Sequence, residues 1–169
     1  MTNSKDSEAV TGIDSDRLIA MLPQKEPMVF VDNVTAIDYE NKKVCCSFKI
    51  GGRKCVALEE DGSMAAVSLV ENIAQTVAII ITAESLRKHE DFKIGLILSI
   101  RKLEFFLSGH LPYGTDVRTE AVISFADDNG VMMAEGTAYN ALTREKIISA
   151  RLTLLKPSDE KIAELLNNQ

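Results

Sequence analysis

The sequence predicts an α+β domain in which one long, buried helix is wrapped by a curled antiparallel sheet. Three observations predict it. Ser63 to Arg87 reads as a single helix that is apolar almost all the way round, with Met64, Ala65, Ala66, Val67, Leu69, Val70, Ile73, Ala74, Val77 and Ala78 to Ile81 leaving no solvent face of normal width. A helix of that kind is covered by its neighbours on nearly every side. Strand-like segments precede it and follow it almost without interruption, and the 169 residues suffice for one domain with a sizeable core but not for two. One helix buried by one sheet requires the sheet to curl. A single curled sheet leaves part of the helix uncovered, so a second copy or a partner is expected to close the structure.

The elements follow in order. Residues 1–12 are expected to form a mobile polar tail, and 13–169 a single domain. Asp14 or Ser15 can cap a short helix carrying Leu18, Ile19, Met21 and Leu22, which Pro23 ends. Pro27 keeps Gln24 to Glu26 extended. Met28 to Tyr39, with Val29, Val31, Val34 and Ile37, reads as a strand. The polar run Glu40-Asn41-Lys42-Lys43 turns the chain into a second strand, Val44 to Ile50. Gly51 to Gly62 is a loop ending in Glu59-Glu60-Asp61, acids that would complement the positive end of a helix capped by Asp61 or Ser63. After the helix come Lys93 to Phe106 as a strand, a loop from Ser108 to Gly114, and a strand from Asp116 to Ala126. Asp127-Asp128-Asn129-Gly130 is a tight-hairpin signal. Val131 to Ala141 and Lys146 to Leu155 complete a meander, and Pro157 and Ser158 start a terminal helix.

Composition narrows the function. The formal net charge is −6 and no Lys/Arg run occurs, which argues against nucleic acid as a partner. No basic start followed by an apolar block marks a secretory signal. The one stretch near membrane-span length, Met64 to Ile81, carries Glu71, Asn72 and Gln75 at its centre, which makes insertion costly. Cys45 and Cys46 are adjacent and would point to opposite faces of a strand, so with Cys55 they form neither a disulfide framework nor a metal site. Reduced thiols in a cytoplasmic protein are expected.

The helix carries one polar seam. Ser68, Glu71, Asn72, Gln75 and Thr76 fall on the same face of a 3.6-residue repeat. A carboxylate there is costly unless paired, hydrated or put to use. Read as functional, Glu71 is an acid/base group in an apolar channel, where burial favours a neutral acid able to protonate a leaving hydroxyl. Read as structural, it is bonded to Asn72, Gln75 or the backbone. Gln75 and Asn72 either orient Glu71, a water or the substrate, or satisfy the seam.

Two stretches carry a resemblance. Leu22-Pro23-Gln24-Lys25-Glu26-Pro27-Met28-Val29-Phe30-Val31-Asp32-Asn33-Val34 resembles the L-P-H-R-x-P-x-x-x-x-D-x-V segment of the hotdog-fold β-hydroxyacyl-acyl-carrier-protein dehydratases. Val70-Glu71-Asn72-Ile73-Ala74-Gln75-Thr76 resembles their central-helix signature, E-x-x-A-Q. The motifs stand in the family's order, and the E-N-I-A-Q-T wording is similar to the divergent branch associated with aryl-polyene and flexirubin-type pigments. The resemblance spans most of residues 14 to 156. It implies a hotdog fold, an acyl carrier protein or acyl-CoA thioester as substrate, no cofactor, and a homodimer or a heterodimer with another hotdog subunit.

The departures from the family matter as much. Its G-H-F-P segment, whose His removes the substrate's α-proton, would fall near Ala57, in Cys55-Val56-Ala57-Leu58, where no histidine occurs. Its P-G pair at the helix start, whose Gly amide polarises the thioester carbonyl, corresponds to Ala65-Ala66, and the His of its first motif is replaced by Gln24. Gly109-His110-Leu111-Pro112 copies G-H-F-P in wording only, since it follows the helix; His110 and His89 are expected at the surface, and Cys55 as a small buried hydrophobe. The resemblance therefore implies an acid-donating half of a heteromeric dehydratase, with Glu71 catalytic and Gln75, Asn72, Ser68 and Ala66 binding substrate. A thioesterase in which Glu71 activates water, and a non-catalytic acyl- or carrier-binding protein, are the alternatives.

Overall fold

The computed structural model describes residues 14–89 and 95–156. Asp14 caps α1 (Ser15–Ala20), its carboxylate accepting the Arg17 backbone N–H at 3.0 Å. At the far end Lys25 Nζ donates to the carbonyls of Ala20 and Leu22, at 2.8 and 3.1 Å. A cation there satisfies carbonyls that the helix leaves free. β1 (Asn33–Asp38) and β2 (Lys43–Lys49) follow, then β3 (Met64–Ala65), a 3-10 turn (Ala66–Ser68) and α2 (Leu69–Arg87). The rest is β4 (Leu96–Phe105), β5 (His110–Leu111), β6 (Asp116–Ala126), β7 (Val131–Asn140) and β8 (Lys146–Leu155).

Six strands form one antiparallel sheet in the order β1-β2-β6-β7-β8-β4, while β3 and β5 pair separately. α2 lies in the curl of that sheet. Ile73, Val77 and Ile80 are fully buried and share one core with Phe48, Ala134, Ile148 and Leu152 of the strands. The approach is tightest at Gly136 of β7, where a Cβ would stand 2.4 Å from Ile73 Cγ2. Residues Ala66–Arg87 are long and apolar enough to cross a membrane by length and composition, and 72% of their apolar window is buried inside the fold. The hairpin between β6 and β7 forms where its residues predict it: Asp127 Oδ1 accepts the N–H groups of Asn129 and Val131, and Gly130 takes φ +82°.

Three expectations need correction. The helix does not begin at Ser63. Met64–Ala65 pair as a strand with Leu111 and His110, and α2 starts only at Leu69. Asp61 accordingly accepts the Ser63 N–H in a turn, and the acids Glu59 to Asp61 do not stand in the first turn of α2. Nor is Met28 to Asp32 a strand; sheet pairing starts at Asn33, because side chains of α2 take the backbone groups just before it. The loop after β4 contains the short β5. The expected tail at residues 1–12 and the terminal helix after Pro157 lie outside the described residues.

β4 pairs with β8 on one side and forms an edge of the six-stranded sheet. Leu98, Ile100 and Phe106, on β4 and just after it, are 54%, 48% and 52% exposed, and Leu96, Ile97, Phe105 and Leu107 are exposed as well. A long apolar edge left open is a template for another chain. The three cysteines are free and buried, and burial pushes the Cys46 thiol up to about 12.

Candidate active site

Most of the polar seam of α2 is spent on pinning residues 28–30. Asn72 Nδ2 donates to the Phe30 carbonyl at 2.6 Å, and its Oδ1 accepts from the Thr119 hydroxyl of β6. Gln75 Oε1 accepts the Phe30 N–H at 2.8 Å, and its Nε2 donates to the Met28 carbonyl at 2.7 Å. Thr76 bonds back to the Asn72 carbonyl. A buried backbone group needs a partner, and here helix amides replace the sheet ladder. Asp32, next along, accepts the Lys49 N–H at 2.7 Å and Arg53 Nε at 2.6 Å, which fixes the turn into β1.

Glu71 is the exception in the seam. Its Oε1 accepts two amide N–H bonds, from Gln75 Nε2 at 2.8 Å and from Gln24 Nε2 at 3.1 Å. Its Oε2 has no hydrogen-bond partner among the described residues. Beside the carboxyl lies a cavity of about 60 Å³ that runs along α2 past Ala74, Val77, Ala78 and Ile81, with Ile97 of β4 and Leu154 of β8 as the opposite wall. Positions 71, 74, 78 and 81 recur on one helix face. At 1.5 Å per residue they span a groove on the order of 15 Å. Ile97 is itself 45% exposed, so the groove's outer wall is the open edge of the sheet.

The other residues singled out in the sequence lie elsewhere. Asn72 and Gln75 are fully buried behind Glu71, their amides occupied as described. Ser68 ends the 3-10 turn and makes no side-chain cap. The Ala66 N–H donates to the Gly109 carbonyl at 3.0 Å, so in this structure it is not free to polarise a thioester. His110 is exposed, 3.7 Å from Glu59, and His89 is exposed just past α2; neither lines the groove. Cys55 is buried, as expected of a small hydrophobe. Sequence reasoning passed over Gln24 as a site residue. Its place in the first motif was the available signal, since that motif and the helix motif meet at Glu71.

The chain is similar to known proteins in both sequence and fold. A family model described as "ApeP-like: ApeP dehydratase" matches residues 17–167. Among solved structures, the dehydratase heterocomplex ApeI:P from Xenorhabdus doucetiae is similar at 19% identity, covering 90% of this chain and 96% of that one, with a TM-score of 0.76. A putative thioesterase, a phenylacetic acid degradation-related protein from Ralstonia eutropha JMP134, is similar at 17% identity over 72% of this chain and 82% of its own, with a TM-score of 0.55. A hypothetical thioesterase with coenzyme A from Streptococcus pneumoniae TIGR4 is similar at 10% identity over 75% and 88%, also at 0.55. No curated protein matches the sequence. The structural likenesses establish the hotdog fold.

Proposed function

The chain belongs to the ApeP-like dehydratase family, and from that premise we propose that it is the acid-donating subunit of a two-chain dehydratase acting on carrier-bound 3-hydroxyacyl thioesters. The observation that carries this reading is the asymmetry of Glu71. One oxygen is fixed by two amides, and the other has no partner among the described residues and lies beside an apolar groove. The fixed oxygen orients the carboxyl, and the free one is the place for a proton that can be handed on.

In the elimination, a base takes the proton from C2 of the acyl chain and a C2=C3 double bond forms. The C3–O bond breaks, and the hydroxyl leaves as water with the proton from Glu71 Oε2. The described residues put no histidine at the groove, so the base comes from a second hotdog chain seated on the open edge of β4. The occurrence of a related dehydratase as a heterocomplex supports this assembly. An acyl carrier protein or coenzyme A carries the thioester, the chain works in the cytoplasm, and residues 13–169 act as one domain.

Co-expression with candidate hotdog partner chains, followed by an assay for enoyl product, tests the proposal. The active pair loses turnover on Glu71→Gln. An active pair indifferent to that change refutes the reading. Release of free thiol without enoyl product would instead assign Glu71 to thioester hydrolysis.

A further inference from the structure

Among the described residues, one buried side-chain oxygen or nitrogen has no hydrogen-bond partner: Gln24 Oε1. Such an orphan is costly, and native proteins rarely keep one without a use. Gln24 lies on the wall of the groove, its Nε2 donating to Glu71. The contrast with Gln75 is instructive. Both protons of the Gln75 amide and its carbonyl are engaged, by Glu71, Met28 and Phe30, so that amide is locked. Gln24 is held through its nitrogen alone.

Among the described residues, the groove has two polar side chains in its wall, Gln24 and Glu71; the remainder is Pro23, Gly95 and aliphatic residues. A substrate's single polar substituent therefore has one place to go. The free groups there are a carbonyl, which only accepts, and the carboxyl oxygen, which donates when protonated. A hydroxyl matches that pair, accepting from one and donating to the other.

We infer that Gln24 binds the 3-hydroxyl group of the substrate, its carbonyl accepting the hydroxyl proton while Glu71 Oε2 delivers a proton to the same oxygen. The inference rests on the dehydratase reading above. As the C3–O bond breaks, the departing water holds two hydrogens. Both are covalently on the water oxygen: the original one donates a hydrogen bond to the Gln24 carbonyl, and the one delivered by Glu71 donates a hydrogen bond back to the carboxylate left behind. Gln24 Oε1 is covered in the free chain. A turn about the soft terminal torsion of the side chain, which exchanges the Nε2–Glu71 bond for one to the ligand, brings it to the hydroxyl while Gln75 continues to hold Glu71 Oε1.

The test compares two pantetheine thioesters in the assembled dehydratase that differ by the hydroxyl alone. The hydroxylated one, the 3-hydroxybutyryl thioester, is followed as substrate through its Michaelis constant, and the butyryl thioester as competitor through its inhibition constant. In Gln24→Leu the Michaelis constant rises about tenfold, the worth of one hydrogen bond, and the inhibition constant stays within twofold. A purely structural role for Gln24 would shift both constants together. That result overturns the inference, as does no shift in either. Should Gln24→Leu fail to assemble, Gln24→Met removes the same carbonyl at the same chain length. An assembly active with wild-type chain but showing no split between the two constants defeats this inference alone; an assembly with no dehydratase activity defeats the proposed function beneath it.

Discussion

Gln75 holds Glu71 and the segment before β1 with one amide group, its Nε2 donating to Glu71 Oε1 at 2.8 Å and to the Met28 carbonyl at 2.7 Å. The orientation of the Glu71 carboxyl and the folding of residues 28–30 are therefore coupled at this residue. Gln75→Leu leaves the Phe30 N–H and the Met28 carbonyl without their partner, at about 1–3 kcal/mol for each buried group. Equilibrium urea unfolding should show a lower midpoint at an unchanged slope.

Glu71→Gln behaves differently. The replacement keeps an oxygen that can accept from Gln75 and Gln24, so the melting temperature stays near that of the parent. Turnover of the assembled dehydratase falls by roughly 10²–10⁴, the usual worth of a positioned general acid. Thermal unfolding and a product assay on the same preparation separate the two effects.

Gly136→Ala probes the packing that seats α2 in the sheet. The new Cβ meets Ile73 Cγ2 at 2.4 Å. Ile73 is fully buried and β-branched, with little rotamer freedom in a helix. Overpacking of this kind costs about 1–3 kcal/mol. Introduced into an Ile73→Ala background, the same change should cost less, which a double-mutant cycle measures.

Cys46 gives a pH dependence with a definite sign. Burial raises its thiol from 9.0 to about 12, so the folded state disfavours the thiolate. The contribution is complete below 9.0 and is lost as pH climbs from 9.0 towards 12, because the unfolded chain ionises first. Replacing Cys46 with Ala should flatten that part of the stability–pH curve. Iodoacetamide at pH 8 should leave Cys46 unmodified in the native protein and label it after denaturation, read by peptide mass spectrometry.

Leu98→Lys places a charge on the open edge of β4, where Leu98 is 54% exposed. The chain folds as before, since the residue is exposed and outside the core cluster. The proposed assembly with a second hotdog chain should be lost, which native mass spectrometry detects as a shift to the free chain.

Local pattern alone determined much of this protein. The strands Asp116–Ala126 and Lys146–Leu155 run where their alternation and flanking turns put them. The hairpin at Gly130 and a cap at Asp14 or Ser15, of which the structure uses Asp14, were equally readable, and so was the anomaly of an acid on an apolar helix. These features depend on residues a few positions apart. The start of α2 at Leu69, the loss of strand character at 28–32 and the contact of Gln24 with Glu71 were decided by tertiary structure. Met64 and Ala65 leave the helix because Leu111 and His110 pair with them. Residues 28–30 leave the sheet because amides 42 to 47 positions away take their backbone groups. Gln24 meets Glu71 only once α1 and α2 have packed. Periodicity records which side of an element is buried; it holds no record of which distant group will complete a hydrogen bond.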